Sequence, residues 1–138
     1  KPGDPHAPGV RVGTQPAPGL VERVESGELS TTATRSMVEQ YVRPLLDGGA
    51  DTIVLGCTHY PFLSDVIQDV AGPGVTVIDP AVAVAQQLRR RLQEGDLLAP
   101  DGPVGTVRFW TTGPPDQSQD VLSQLWGGPI EVTRVAAD

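Results

Sequence analysis

Two short runs rich in β-branched residues, each followed by a helical pattern, constrain the fold of this chain more than any other feature. The runs are Asp51–Gly56 and Val75–Ile78. Runs of this length, bounded by turn-forming residues, are typical of strands that are buried on both faces of a parallel sheet. Strands of this kind that alternate with amphipathic helices form layered folds. The sequence therefore predicts an α/β fold with a parallel sheet.

The remaining elements follow from apolar residues that recur every three or four positions, or that alternate. Helices are predicted at residues 18–27, 30–46, 61–72, 81–94 and 116–126, and further strands at residues 107–112 and 130–135. Pro44 is expected to kink the second helix, and Pro61 suits the first turn of the third. Asp79 is predicted to cap the fourth. The third helix is predicted to turn five apolar residues inward, namely Phe62, Leu63, Val66, Ile67 and Val70.

Composition excludes several classes of function. With 10 basic and 17 acidic residues the chain has a net charge of -7, which disfavours nucleic acid and anionic membranes as partners. The sequence has no apolar stretch that approaches the roughly 20 residues of a membrane span and no signal peptide, so we expect a cytoplasmic protein. Cys57 is the only cysteine, and with only His6 and His59 beside it no structural zinc site is expected. Lys1 is the only lysine, which argues against a pyridoxal phosphate cofactor.

The chain is predicted to have three segments. Residues 1–17 form a flexible lead-in rich in proline and glycine, residues 18–96 form a lobe, and residues 104–138 form a strand, a helix and a strand. Because the chain starts at Lys1 without an initiator methionine, we expect it to be a fragment.

Cys57, Thr58 and His59 form the candidate site. They directly follow the first strand and precede a helix, and ligands of open α/β sheets collect at this end of the strands. A thiol before a helix N-terminus lies in a positive potential that favours the thiolate. His59 can share the proton of the Cys57 thiol, and Thr58 has a hydroxyl that can bind a carboxylate. An inert, partly buried cysteine is the competing interpretation, and spacing by itself does not decide between them.

The wider sequence around Cys57 resembles one family. Leu-Gly-Cys-Thr-His-Tyr-Pro at residues 55–61 is similar to the second cysteine motif of the glutamate racemases, in the aspartate/glutamate racemase superfamily. The resemblance extends to residues 49–54, 77–81 and 109–113 and covers most of residues 18–135. It implies a three-layer, parallel-sheet lobe of the racemase type, incomplete because the N-terminal half is absent.

The resemblance also implies a mechanism. One cysteine thiolate removes the α-proton of glutamate, and another reprotonates the opposite face without any cofactor or metal. Cys57 matches the base that acts on L-glutamate. Thr58 and His59 match positions that contact substrate, and His59 also matches a residue that assists the cysteine. The product D-glutamate would supply peptidoglycan synthesis.

The family's first cysteine cannot be placed in this sequence. The resemblance implies that the N-terminal half of the same enzyme supplies it, that residues 104–138 complete the other lobe, and that the intact protein can form a homodimer. We therefore expect this chain by itself to be inactive. Three alternatives stay open: a racemase for another acidic amino acid such as aspartate, an α/β module that binds without turnover, and, with less support, a Cys-His hydrolase.

Overall fold

The computed structural model describes residues 9–100, 102–103 and 105–135, in which helices and short strands alternate. In chain order the elements are α1 (Leu20–Glu25), α2 (Thr32–Asp47), β1 (Thr52–Val54), a 3-10 helix (Tyr60–Leu63), α3 (Ser64–Ala71), β2 (Thr76–Ile78), α4 (Ala81–Glu94), β3 (Phe109–Thr111), α5 (Pro115–Trp126) and β4 (Val132–Arg134). Each predicted helix and strand is found in its predicted place. His6 and the first eight residues of the predicted lead-in lie outside the described residues.

The strands form two parallel pairs, each joined through a helix. β1 pairs with β2, with Ile53 opposite Val77, and β3 pairs with β4, with Phe109 opposite Val132. A parallel pair needs a crossover connection, and α3 and α5 provide it. The predicted α/β fold with parallel strands is confirmed.

The prediction that the strands are buried on both faces is wrong for the chain as described. Ile53 is buried, but Val54 is 60% exposed, and Ile78 opposite it on β2 is 41% exposed. Successive side chains point to opposite faces of a strand, so Val54 and Ile78 share one face. Because α3 packs against β2 and α2, the helices cover the other face. The described residues leave the face of Val54 and Ile78 largely open to solvent.

The described residues divide into two compact units. One takes the residues up to Val24 and Glu28–Asp79, and the other takes Glu25–Gly27 and the residues from Pro80 onward. The helix α4, which we predicted in the lobe of residues 18–96, therefore groups with the C-terminal segment. The three predicted segments, residues 1–17, 18–96 and 104–138, describe domains of the intact protein, and this division stays a prediction.

The core of the first unit comes from the apolar faces of its helices and from β1. Its buried side chains are Leu20, Val24, Thr34, Val38, Val42, Ile53, Leu55, Leu63 and Ile67. The helix α2 begins where the Thr31 hydroxyl accepts a hydrogen bond from the Thr34 amide at 3.2 Å, and Pro44 lies within its last turn. The apolar face of α2 carries the buried residues Thr34, Val38 and Val42, and α2 packs against α3.

Two local predictions about the other helices are corrected. Leu63 is buried as predicted, but Phe62 does not face inward and is 42% exposed, because the predicted third helix starts as a 3-10 helix with three residues per turn. The capping position of α4 is Pro80 and not Asp79, because the carbonyl of Pro80 is the first acceptor, bonded by the Val84 amide at 2.9 Å. Within the described residues, no helix is both long and apolar enough to cross a bilayer.

Candidate functional site

Cys57, Thr58 and His59 lie in the loop that leaves the C-terminal end of β1. The parallel ladder continues one residue past β1, where the Leu55 amide donates to the Ile78 carbonyl at 3.0 Å. Leu55 is buried and anchors the strand end. Cys57 therefore follows a fixed point of the sheet by two residues.

The loop closes immediately into a tight turn. The Tyr60 amide donates to the Cys57 carbonyl at 3.2 Å, and the Phe62 amide donates to the His59 carbonyl at 3.2 Å. Pro61 occupies the first turn of the 3-10 helix, where its missing N–H costs no hydrogen bond. This turn places the three polar side chains on a short, restrained segment between β1 and the helices that follow.

The His59 ring is the centre of the cluster. Its Nδ1 lies 3.9 Å from Cys57 Sγ and 3.5 Å from Thr58 Oγ1. Cys57 and His59 are half-buried, and Thr58 is exposed. A thiol and an imidazole at this distance can exchange a proton, with the ring nitrogen as acceptor in one tautomer. The structure thus brings together the three residues that the sequence singled out.

A second pair of side chains, missed by the sequence analysis as site residues, lies next to this cluster. The Tyr60 hydroxyl donates to the Ala17 carbonyl at 3.4 Å, and the Tyr41 hydroxyl donates to the Pro18 carbonyl at 2.7 Å. Tyr60 stands within the cysteine motif, and Tyr41 stands on the apolar face of α2. Their presence was visible in the sequence, but the shared target of their hydroxyls was not.

The electrostatic environment of Tyr60 reflects its place beside the thiol. Burial of the phenol raises the pKa of Tyr60, and negative charge on Cys57, on Tyr41 and on Glu22 adds to this in that order. A neighbouring negative charge disfavours the phenolate, so Tyr60 stays a neutral hydrogen-bond donor at physiological pH. In the described ranges, no three His, Cys, Asp or Glu side chains are grouped so that they could hold a metal ion.

Comparisons with known proteins place this chain among the racemases. The family model described as Asp/Glu/Hydantoin racemase matches residues 8–88, which is more than half of the chain. A glutamate racemase of Pseudomonas entomophila is 50% identical over 123 residues, which cover 89% of this chain and 46% of that relative.

Solved structures agree with the sequence comparison. The structure of a glutamate racemase of Bacillus anthracis matches with a TM-score of 0.78 and 34% identity, over 88% of this chain and 46% of that one. A glutamate racemase of Francisella tularensis, solved with D-glutamate, has the same fold, with a TM-score of 0.74 and 24% identity over 89% of this chain and 46% of that one. The chain thus spans about half the length of the relatives it matches, and it belongs to the Asp/Glu/Hydantoin racemase family.

Proposed function

We propose that this chain is the part of a cofactor-independent glutamate racemase that carries one of its two bases, Cys57. The observation that carries the proposal is the contact of 3.9 Å between Cys57 Sγ and His59 Nδ1 at the end of a parallel strand. The 50% identity to a relative named glutamate racemase supports glutamate as the substrate. The reaction would supply D-glutamate for peptidoglycan in the cytoplasm.

Inversion of the α-carbon requires a base on each face. In the proposed reaction the Cys57 thiolate takes the α-proton of L-glutamate and becomes a thiol. A thiol on the opposite face then gives its proton to the carbanion and becomes a thiolate. The two proton transfers balance, and the reverse reaction uses the two groups in exchanged roles.

His59 and Thr58 have supporting roles in this proposal. His59 accepts the proton of Cys57 when the thiolate forms, and its Nδ1 lies where such a transfer needs only a small approach. The exposed hydroxyl of Thr58 is placed to donate a hydrogen bond to a substrate carboxylate. Both side chains belong to the same turn, so the substrate and the base would be held by one rigid segment.

The proposed partner that completes the site is the N-terminal half of the same enzyme. Val54, Ile78 and Phe62 expose 60%, 41% and 42% of their surfaces, although each belongs to a strand or helix of the first unit. Apolar surface left in water forfeits about 25 cal/mol per Å². A second lobe that covers these side chains would recover that free energy and bring the second thiol. We also propose that the intact protein can form a homodimer.

The decisive experiment is done on the intact gene product. Circular dichroism can follow the formation of D-glutamate from L-glutamate by the wild-type protein and by Cys57→Ser. A serine hydroxyl is far less acidic than a thiol, so we expect turnover to fall by at least about 1,000-fold. Ser64→Ala is the matched control, because it removes a hydroxyl from the start of α3, close to Cys57 in the chain, and Ser64 has no role in the proposed proton transfers. Near-normal turnover of Cys57→Ser would overturn the assignment.

The chain by itself offers a complementary test. One thiolate on one face can exchange deuterium into L-glutamate but cannot invert it, so we expect no D-glutamate from residues 1–138. We expect the isolated chain to associate or to be partly molten, and the addition of the N-terminal half to restore turnover. Racemisation by a verified monomer of this chain would contradict the proposal. Faster turnover of aspartate than of glutamate by the intact protein would move the substrate to another acidic amino acid.

A further inference from the structure

The hydroxyls of Tyr41 and Tyr60 both donate to the same short segment, Ala17–Pro18. Tyr41, on α2, donates to the Pro18 carbonyl at 2.7 Å, and Tyr60, in the cysteine motif, donates to the Ala17 carbonyl at 3.4 Å. The acceptors are consecutive carbonyls, whereas the donors lie 23 and 43 residues further along the chain. The segment therefore links a long helix to the loop that carries Cys57.

The segment is also fixed on its C-terminal side. Gly19 has a φ of +90°, and Met37 of α2 occupies the space next to its α-carbon. Leu20, which follows, is 4% exposed. The position of Ala17–Pro18 therefore depends on that of α2, and a shift of α2 would be passed on to Tyr60, which bonds the Ala17 carbonyl.

Tyr60 is the point where this linkage reaches the thiol. Its amide donates to the Cys57 carbonyl at 3.2 Å, so its backbone is part of the turn that sets the position of Cys57. Its half-buried ring is near enough to Cys57 for the charge of the thiolate to act on the phenol. A shift of the Tyr60 ring would therefore move the turn and change the surroundings of Cys57.

We propose that Tyr41 and Tyr60 are positioning residues that hold the Cys57 turn in place through the Ala17–Pro18 segment. Their catalytic consequence rests on the proposed racemase function, but their effect on Cys57 does not. Displacement of a reacting group by about 1 Å can cost about 100-fold in rate, so a turn held at one more point would matter for proton transfer. The hydroxyls act on the backbone of residues 17 and 18 and not on the substrate.

The test measures the rate at which Cys57 is alkylated in the intact gene product. Iodoacetamide alkylates the protein under native conditions, and peptide mass spectrometry gives the rate at Cys57. Tyr41→Phe and Tyr60→Phe keep both rings and remove only the hydroxyls. We expect each to raise the alkylation rate of Cys57 by up to about fivefold, the factor that corresponds to one ordinary hydrogen bond, with the larger change for the shorter bond of Tyr41. Far-UV circular dichroism and the denaturation midpoint show whether each variant is folded.

Two controls separate positioning from general loosening. The Ser64 hydroxyl donates to the Pro61 carbonyl at 2.7 Å, directly after the Cys57 turn. Ser64→Ala removes this hydrogen bond and leaves the two hydrogen bonds to Ala17–Pro18 in place. We expect it to leave alkylation of Cys57 unchanged. The double variant Tyr41→Phe/Tyr60→Phe should change the rate by less than the product of the single changes, because both hydroxyls act through one segment. An equal effect of Ser64→Ala, a multiplicative double variant, or unchanged alkylation in both single variants would overturn the proposal.

Racemisation in the same preparations distinguishes this inference from the proposed function. If both hold, kcat falls in the two tyrosine variants by about tenfold or more while KM changes little, since the hydroxyls do not touch substrate. If the alkylation pattern holds in a protein that does not racemise glutamate, the positioning role stands and the proposed function fails. If the protein racemises but its Cys57 alkylation is insensitive to both tyrosines, the positioning role fails.

Discussion

The sulfur of Met37 lies 3.1 Å from the position that a β-carbon on Gly19 would take, and the methyl carbon of Met37 lies at 3.2 Å. Gly19 also has a φ of +90°, which L-residues with a side chain rarely adopt. Both the backbone conformation and the space next to it therefore require glycine, directly before α1. The close approach to α2 at this point fixes where the segment of Ala17 and Pro18 runs.

Gly19→Ala is expected to lower the free energy of unfolding by about 1 to 3 kcal/mol, because the new β-carbon strains the backbone and displaces Met37. Gly13→Ala is the matched control, since apart from its chain neighbours no atom lies within 4 Å of the position that a β-carbon on Gly13 would take, and Gly13 does not have a positive φ. Urea denaturation of the intact protein measures both. Equal midpoints for the two variants would contradict the packing described here.

Gln68 ties the end of α3 to the start of β2. Its side-chain amide donates to the Gly72 carbonyl at 2.9 Å and to the Val75 carbonyl at 3.0 Å. Gln68→Met keeps the length of the side chain but removes both bonds, and we expect a loss of about 1 to 2 kcal/mol of stability. Gln86→Met on the exposed surface of α4 is the control and should change the denaturation midpoint little. A midpoint shift no larger than that of the control would argue against this tie.

Thr34 is a polar side chain that is fully buried in the first unit, and its hydroxyl donates to the Glu28 carbonyl. Thr34→Val has nearly the same shape but leaves that carbonyl without this donor and removes the hydrogen bond of 2.9 Å between the Thr31 and Thr34 hydroxyls, which is expected to cost about 1 to 3 kcal/mol. Thr32→Val, at an exposed position of the same helix, makes the same chemical change in water. Thermal unfolding followed by circular dichroism compares the two. The prediction fails if Thr32→Val destabilises the protein as much as Thr34→Val.

The raised pKa of Tyr60 predicts a pH dependence of stability. The unfolded phenol ionises near its ordinary pKa of about 10, while the folded phenol keeps its proton to higher pH, so the unfolded state binds fewer protons above that value. The stabilisation from Tyr60 is fully present below pH 10 and is lost as the pH rises through the raised folded pKa. The difference in unfolding free energy between the wild type and Tyr60→Phe should therefore be constant up to about pH 9 and shrink above pH 10.

The titration of Tyr60 can be followed by the absorbance of its phenolate as the pH rises. In the intact protein, Tyr41→Phe removes the signal of the other tyrosine of this chain. We expect a component that titrates above the ordinary tyrosine value and that Tyr60→Phe removes. Titration of all tyrosines at the ordinary value would show that burial and the charge of Cys57 do not act on this phenol.

Local sequence patterns predicted the α-helices and strands of the described residues, because an apolar period of three to four residues, or of two, shows which side of a segment meets other residues. Asp51–Gly56 and Val75–Ile78 were correctly predicted as strands, and the loop after the first as the place of Cys57. The same patterns overestimated burial. A run such as that around Val54 is apolar on both faces whether or not the layer that covers the second face is present, so composition cannot report that Val54 is exposed here.

The candidate site, like the fold, was predicted only in part from the sequence. The motif of residues 55–61 singled out Cys57, Thr58 and His59, but the distances of 3.9 Å and 3.5 Å from His59 Nδ1 to Cys57 Sγ and Thr58 Oγ1 were decided by the geometry of the turn, which the sequence did not show. The 3-10 geometry that turns Phe62 outward was not visible, because the same residue types form α-helical and 3-10 turns, and the sequence does not show whether an amide bonds three or four residues back.

By itself the sequence determined the order of the elements, the parallel pairing through helical crossovers and the identity of the thiol, because these depend on residues close together in the chain. Only the tertiary structure decided that Tyr41 and Tyr60 meet at Ala17–Pro18 and that Met37 closes over Gly19. These contacts join residues 18 to 43 positions apart. Their free energy depends on distances set by the packing of α2 and of the loop after β1 in the tertiary structure, which no local pattern encodes.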